Sequence, residues 1–490
     1  MTALSADILR GVKVSFYSRA VHTLTNGLLV VLLAGTLLGP DEYGLLFLVL
    51  SIVGVAQLFA DLGIARAAAR YVSEYKETDD GQVPYIVASS LRYRLVLIAV
   101  VCIAILLGRQ PLAAVLDEPA LIGTLVVGAA FLAFQSIKVY HVTLFQGFNR
   151  LEYSALVSIV DNVGRFVFVV AFVFLGGGVL GALAGYVLGS VLATAVGLFV
   201  LFAHVYRSYD RADRPEHGLR RRILEYSIPL TASRSANVID RRVDIILVGF
   251  FLNPAAVGFY TLGKQISEFV EAPAGAVGFA LSPVYGEEKA AGGIDRASRL
   301  YESSMRYVLL LYVPAVAGVI VVAEPGIRLV FGDAYEPAIP VLQVLSLFVL
   351  FKAINSVTTQ ALDYLGRARH RAIVKGVTSA GNFGLNVVLI PVMGVTGAAL
   401  ATVLTFGVYS LANVYIMHRE LTVRWTRLAR VGTIATAIAL VMGGLVLTLS
   451  PHVTSILSLA AVVTVGVAVW AFLATVTGLL DIERVSAVVT

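Results

Sequence analysis

Cysteine is almost missing from this chain: Cys102 is the single one among 490 residues. A lone thiol excludes an intramolecular disulfide and any metal centre built from cysteines. Charge is scarce too, at 14% of residues, where a soluble domain carries about 25%. Lysine is rare beside arginine, 7 against 30, which hints at a GC-rich genome and at nothing mechanistic. Enzyme motifs are missing: there is no HExxH, GxSxG, phosphate-binding loop or metal-ligand cluster. Without an ATP site, any energy source is an ion gradient or the substrate gradient itself. A membrane polymerase or acyltransferase would need a catalytic residue at a membrane face, often with a large outer loop. The outer connections here are tiny, and six of the seven histidines sit at span ends or in loops, with His22 the exception.

Apolar sequence is what the chain has in abundance. Hydrophobic residues make up 58% of it and the mean hydropathy is +0.86, so it is an integral membrane protein. A helix needs about 20 apolar residues to cross the bilayer core. Breaking the chain at Gly/Pro turns and charge clusters predicts fourteen spans, near 17–38, 42–64, 85–107, 119–143, 153–175, 178–203, 224–252, 255–283, 304–323, 338–361, 372–392, 395–417, 431–449 and 453–479. The fold class is therefore an all-α polytopic bundle. Its first apolar run begins near Val21 with no small-residue cleavage site after it and reads as a retained span.

Positive charge alternates with the spans. With the N-terminus inside, the inner segments hold 29 Lys and Arg, including Arg92, Arg94, Lys138 and the Arg220–Arg222 run; the outer ones hold Arg109 and Arg328 alone. Both termini are therefore expected in the cytoplasm.

The chain also repeats itself. "GTLLGPDEYGLL" from Gly35 and "GFFLNPAAVGFY" from Gly249 pair Gly35/Gly249, Leu38/Leu252, Pro40/Pro254 and Gly44/Gly258 at an offset of 214. "GVLGALAG" from Gly178 and "GVTGAALA" from Gly394 pair at 216. Two unrelated motifs at nearly one spacing argue for duplication. Both partners of each pair fall in outer turns, so the halves are expected to be parallel. The expected organisation is an N-lobe over 1–206, a charged cytoplasmic linker over 207–222, a C-lobe over 223–418 and a final helix pair over 419–490. Six spans per lobe is a transporter architecture, with substrate bound between the halves near mid-membrane.

The stretches "LLGPDEYGLLFLVLSIVGVAQLFADLGIARAAARYVSEY" (37–75), "VDIILVGFFLNPAAVGFYTLGKQISE" (243–268) and "YLGRARHRAIVKGVTSAGNFGLNVVLIPVMGVTGAALATVLT" (364–405) carry a resemblance. In that order they resemble the multidrug/oligosaccharidyl-lipid/polysaccharide (MOP) exporter superfamily, in its polysaccharide and O-antigen flippase branch. The resemblance implies a two-lobed, V-shaped bundle in the plasma membrane that moves isoprenoid-phosphate-linked sugars from the inner to the outer leaflet. The carrier is undecaprenol or dolichol, and the link a mono- or pyrophosphate. Implied partners are glycosyltransferases upstream and a glycan polymerase or oligosaccharyltransferase downstream, with no nucleic acid. The glycans would serve cell-surface polysaccharide, O-antigen or, in archaea, surface-protein N-glycans. The alternative on the same fold is an ion-coupled exporter of drugs or metabolites.

Charges inside the spans mark the candidate site. Arg234, Asp240, Arg241, Arg242 and Asp244 crowd one span. At about 2.5–3.5 kcal/mol each, five cost roughly 12–18 kcal/mol in lipid, while ten large aliphatic or Phe residues offset only about 3–6. The polar side must therefore face protein or water. Arg234, Asn237, Arg241 and Asp244 fall within about 80° on a helical wheel, whereas Arg242 points elsewhere. Lys264, Glu268 and Glu271 share a second face, Asp161 and Arg165 stand four apart, and Lys352 with Asn355, Asn382 with Asn386, and His22, Asn26, Gln57 and Asp61 add further polar positions. Arginine suits a phosphate through its permanent charge and planar fork. Arg234, Asn237, Arg241, Lys264, Arg165 and Lys352 are thus the substrate-binding candidates. Asp161, Asp240, Asp244, Glu268, Glu271 and Asp61 are candidates for charge pairing or for coupling to H⁺ or Na⁺; no other cofactor is expected. Asp161–Arg165 and Lys264–Glu268 read equally as buried structural pairs, Asp61 as a cap or lobe-closing contact, and Asn382 and Asn386 as interhelical hydrogen bonds.

Overall fold

The computed structural model describes residues 3–290 and 294–480; the side chains of 3–13, 15, 16, 229, 230, 232–237, 239–241, 275–290, 294 and 364 lie outside the description. Fourteen α-helices run through the described residues. They are α1 Ala3–Leu32, α2 Pro40–Asp61, α3 Ile64–Thr78, α4 Val83–Val115, α5 Leu121–Gly147, α6 Leu151–Phe172, α7 Gly178–Val200 and α8 Leu219–Phe251. After these come α9 Pro254–Ala290, α10 Ile294–Phe331, α11 Ala338–Tyr364, α12 Ala368–Glu420, α13 Trp425–Leu449 and α14 Ile456–Val476.

Among the described residues, ten segments are long and apolar enough to cross a bilayer. Two of them, Leu151–Ser208 and Ala368–Glu420, have 58 and 53 residues. Straight, each would reach roughly 80–90 Å, near three hydrocarbon thicknesses. Both are broken at glycines in the left-handed region, where a Cβ would be strained: Gly176 at φ 87° in the first and Gly394 at φ 60° in the second. Asn382 donates to Thr405 Oγ1 at 3.2 Å although the two are 23 residues apart. An unbroken helix would separate them by about 34 Å, so α12 is a hairpin holding two expected spans.

The α6–α7 hairpin is closed by small residues. A Cβ on Gly185 would stand 2.6 Å from Val169 Cα, and one on Gly189 2.6 Å from the Arg165 nitrogen. Glycines at every fourth position let two backbones touch, the main source of helix association where lipid removes the hydrophobic drive. The two Gly/Pro segments paired at an offset of 214 make a similar contact with each other. A Cβ on Gly44 would collide with the Pro254 carbonyl, and one on Gly258 with the Pro40 carbonyl.

Two compact units divide the chain, Met1–Gly258 and Phe259–Thr490. The first is cored by Tyr71, Tyr75, Val87, Tyr140, Phe145 and Ile223, among others. The second gathers Tyr301, Met305, Tyr312, Val349, Val357 and Met417. Around such cores the outer surface stays greasy: Val96, Val100, Ile103 and Leu107, on one face of α4, are each more than half exposed. That is a lipid-facing stripe.

One expectation needs correction. Residues 64–78, read as an inner connection, form α3, an amphipathic helix burying Ala67, Ala68, Tyr71, Val72 and Tyr75 while Arg66, Arg70 and Glu74 stay exposed. Arg94 and Lys138, counted with the inner-face charges, lie within α4 and α5, and Arg94 is wholly buried. Each meets an acid there, Asp61 for Arg94 and Asp161 for Lys138.

Candidate functional site

In the first unit five helices turn polar side chains toward one another. Arg94 on α4 donates from Nη1 to Asp61 of α2, and from Nε and Nη2 to the Ser136 carbonyl of α5 at 3.0 and 2.7 Å. Two residues along α5 from Ser136, Lys138 Nζ donates to Asp161 Oδ2 at 2.8 Å. The Ser190 hydroxyl of α7 lies 3.2 Å from both Asp161 Oδ1 and Gln135 Oε1. Asp161 therefore pairs with Lys138 across the α5–α6 contact rather than with Arg165 four residues along its own helix. Packing between helices brings the lysine to the carboxylate, whereas Arg165 extends toward α7.

Arg165 has a different environment. Its Nη2 donates to the amide oxygen of Asn162 at 3.0 Å, and its guanidinium stands 5.2 Å from the Tyr186 ring centre. His22 Nδ1 lies 2.9 Å from the same Asn162 oxygen, which makes that ring nitrogen the donor. Among the described residues Arg165 has no acidic partner, and its Nε has no hydrogen bond. The two acids of this network, Asp61 and Asp161, already hold Arg94 and Lys138. A net positive charge is left at Arg165.

A cavity of ≈ 220 Å³ adjoins this network, lined in part by Gln57, Asp61, Arg94, Gln135 and Thr231. Arg242, expected to point elsewhere, packs its side chain on α2, where a Cβ on Gly54 would meet its Nε at 3.2 Å. The glycine notch of α2 gives Arg242 a protein surface. Asp244 is 1% exposed in the same unit. Arg234, Asn237, Asp240 and Arg241 lie outside the described residues.

The second unit has its own polar interior. Lys352 Nζ is 3.1 Å from Glu271 Oε2 and 5.6 Å from the Phe348 ring centre. Lys264 is 9% exposed, 5.4 Å from the Tyr260 ring, while Glu268 is exposed. Asn413 donates to Asn355 at 2.8 Å, and Asn386 donates to the Asn382 backbone oxygen at 2.9 Å. Asn382 thus bridges the α12 hairpin, as the interhelical reading expected. An apolar groove of ≈ 510 Å³ runs along α10, α13 and α14, lined by Gly318, Val322, Met442, Val446 and Trp470 among others.

Residues 9–285 match the model of the family described as polysaccharide biosynthesis protein, more than half of the chain. The chain belongs to this family. Residues 229–392 of this family member also match the MatE model. The probable low-salt glycan biosynthesis flippase Agl15 of Haloferax volcanii is 23% identical to it over 416 residues, covering 83% of this chain and 82% of that one. The probable flippase AglR of the same organism is 24% identical, covering 84% and 83%. In fold it is similar to the lipid II flippase MurJ in its inward closed conformation, with a TM-score of 0.74 at 15% identity over 96% of this chain and 98% of that one. An inward-facing MATE multidrug transporter of the MOP superfamily follows at 0.68 and 16%, covering 84% and 96%. The comparisons bear out the resemblance to the MOP superfamily and its polysaccharide branch, and the protein is a multi-span membrane protein.

Sequence reasoning missed Lys138, Arg94, Gln135 and Ser190 as members of the network. A signal for α5 was present: Gln135, Lys138 and His141 recur every three residues inside an otherwise apolar run, which marks a buried polar face.

Proposed function

We propose that the protein is a flippase that carries an isoprenoid-(pyro)phosphate-linked oligosaccharide from the cytoplasmic to the outer leaflet of the cell membrane by alternating access. The observation that carries the reading is Arg165, a cation inside an apolar helical shell whose hydrogen bond goes to a neutral amide. A phosphate cannot cross hydrocarbon bare. An arginine keeps its charge at any physiological pH and offers a fork matched to two phosphate oxygens. Arg234, Arg241, Lys264 and Lys352 are further cation candidates for the same headgroup, and Asn237 a hydrogen-bonding one for the sugars. The names of Agl15 and AglR support the assignment, as does the MurJ-like fold.

In this reading both termini are cytoplasmic, and the carrier is undecaprenol or dolichol. Glycosyltransferases supply the substrate, and a glycan polymerase or oligosaccharyltransferase consumes it. Asp161, with Asp61, Asp240, Asp244, Glu268 and Glu271 as further candidates, takes up H⁺ or Na⁺ to drive the return step. The test is a strain whose surface glycan depends on this gene. Arg165→Gln and Arg241→Ala should each accumulate lipid-linked glycan on the inner leaflet at normal protein levels; unchanged surface glycan in both would overturn the reading. The MatE match favours drug export as the second reading. It predicts that deleting the gene sensitises cells to cationic drugs while surface glycan stays intact.

A further inference from the structure

The charged linker over 207–222 is folded onto the first unit. Ala212 donates its amide to the Gly81 carbonyl at 3.1 Å, and the Tyr85 hydroxyl donates to the Ala212 carbonyl at 3.0 Å. Gln82 holds the next turn from both ends, donating to the Arg214 carbonyl at 3.2 Å and accepting from the Glu216 amide at 2.8 Å. Pinned this way, Arg211 lies with its guanidinium 4.3 Å from the Tyr85 ring centre. That places a charge from the linker over the start of α4.

Arg211 joins two other arginines there. A groove of ≈ 1080 Å³ between α4 and the start of α8 is lined by Arg92, Arg211 and Arg220 together with Tyr85, Tyr93 and Ser89. Among the described residues its lining contains no acid, and Arg92 and Arg220 make no ion pair. Toward the membrane the wall turns apolar through Val96, Leu97, Leu224 and Ile228. Val96 begins the exposed stripe of α4 that faces lipid. The groove's far wall reaches Thr231, which also lines the cavity beside Arg94 and Asp61. One end is therefore cationic, one side opens along lipid-facing helix, and the inner end borders the polar network.

We infer that this groove is a loading vestibule: it captures the phosphate of the lipid-linked glycan from the cytoplasmic leaflet before the headgroup passes inward by Thr231. The inference rests on the flippase reading and names a second site within it. Three cations without a counter-acid complement a phosphate or pyrophosphate. The apolar wall accepts the first isoprene units, and the hydroxyls and tyrosines suit the sugar next to the phosphate. A bilayer phospholipid would satisfy the arginines as well, but it needs neither the hydroxyl-lined wall nor the boundary with the polar cavity. The occupant is an isoprenoid phosphate.

The test uses the full chain in detergent and farnesyl pyrophosphate as probe, with binding read by native mass spectrometry. Wild type should bind it more tightly than farnesol or inorganic pyrophosphate, because both ends of the groove are used. Arg92→Gln and Arg220→Gln should each weaken it roughly 10-fold, and the pair about 100-fold, as loss of charge-assisted bonds predicts. Both side chains are exposed, so folding should survive; Ser89→Trp, which fills the groove, is the independent variant and should also abolish binding. Wild-type affinity in the double variant overturns the inference, as does equal displacement of the probe by phosphatidylglycerol, which marks a structural-lipid site. If the double variant binds normally while Arg165→Gln still blocks glycan delivery, the vestibule falls and the flippase reading stands. Arginine-dependent probe binding in a protein that proves dispensable for surface glycan leaves the site and removes the flippase.

Discussion

Replacing Lys138 by methionine should strand a carboxylate. The Lys138 and Asp161 side chains are 12% and 6% exposed, so little water reaches either. Removing one partner of a buried pair costs about 3–5 kcal/mol. Asp161 would keep the Ser190 hydroxyl bond at 3.2 Å, which favours the lower end, about 3 kcal/mol. At roughly 2–4 °C per kcal/mol for a unit of this size, melting should fall by about 6–12 °C. Cys102, the single thiol and only part-buried, lets a thiol-reactive dye report the transition in detergent. The double variant Lys138→Met/Asp161→Leu replaces the pair by apolar volume and should melt within about 3 °C of wild type. Ser190 would still have Gln135 as acceptor. A Lys138→Met protein melting within about 2 °C of wild type would refute the reasoning. So would a double variant no more stable than the single one. Glycan delivery by the double variant then tells whether Asp161 only holds helices together or also carries the driving ion: a stable protein that fails to deliver assigns it the second role.

Other perturbations have equally definite outcomes. Gly185→Ala should lower the melting temperature because its methyl would press on Val169 of α6, whereas Gly376→Ala, inside α12 with nothing within 4 Å, should raise it by about 2–4 °C. Gly394→Ala puts a side chain at φ 60°, ψ −142°, straining the hairpin turn by about 1–3 kcal/mol; unchanged melting would contradict the strain. At the linker, a hydrogen bond from Tyr75 holds the Glu216 carboxyl below its usual value, with Arg222 adding to the effect and burial opposing it. Its contribution to linker docking is present above the unfolded value of 4.5 and is lost as pH falls through the depressed one. The pair is about four-tenths exposed, so the effect is small. Hydrogen exchange across 206–218 should accelerate on that acidification in wild type and lose its pH dependence in Glu216→Gln.

The helix content and the two glycine-marked hairpins were legible because apolar run length and left-handed glycine are local properties. Asn382 was legible for the same reason, being tied to Thr405 through a turn the sequence announces. Partner choice was not. Asp161 has Arg165 at helical spacing yet takes Lys138, because α5 lies against that face of α6 and α7 draws the arginine away. Arg94 was counted only as a topology charge, and its acid partner on α2, 33 residues away, follows no local spacing. Linker docking was invisible for a stronger reason: Tyr75 and Glu216 are 141 residues apart, and no local pattern joins them.

The collision that any side chain on Gly44 or Gly258 would cause ties together two stretches more than 200 residues apart. Each stretch's proline carbonyl fills the room that the other's glycine leaves vacant. A methyl group gained by either is felt by both. Pro40, Gly44, Pro254 and Gly258 therefore form one lock inside the first unit, and no part of it can be reshaped alone.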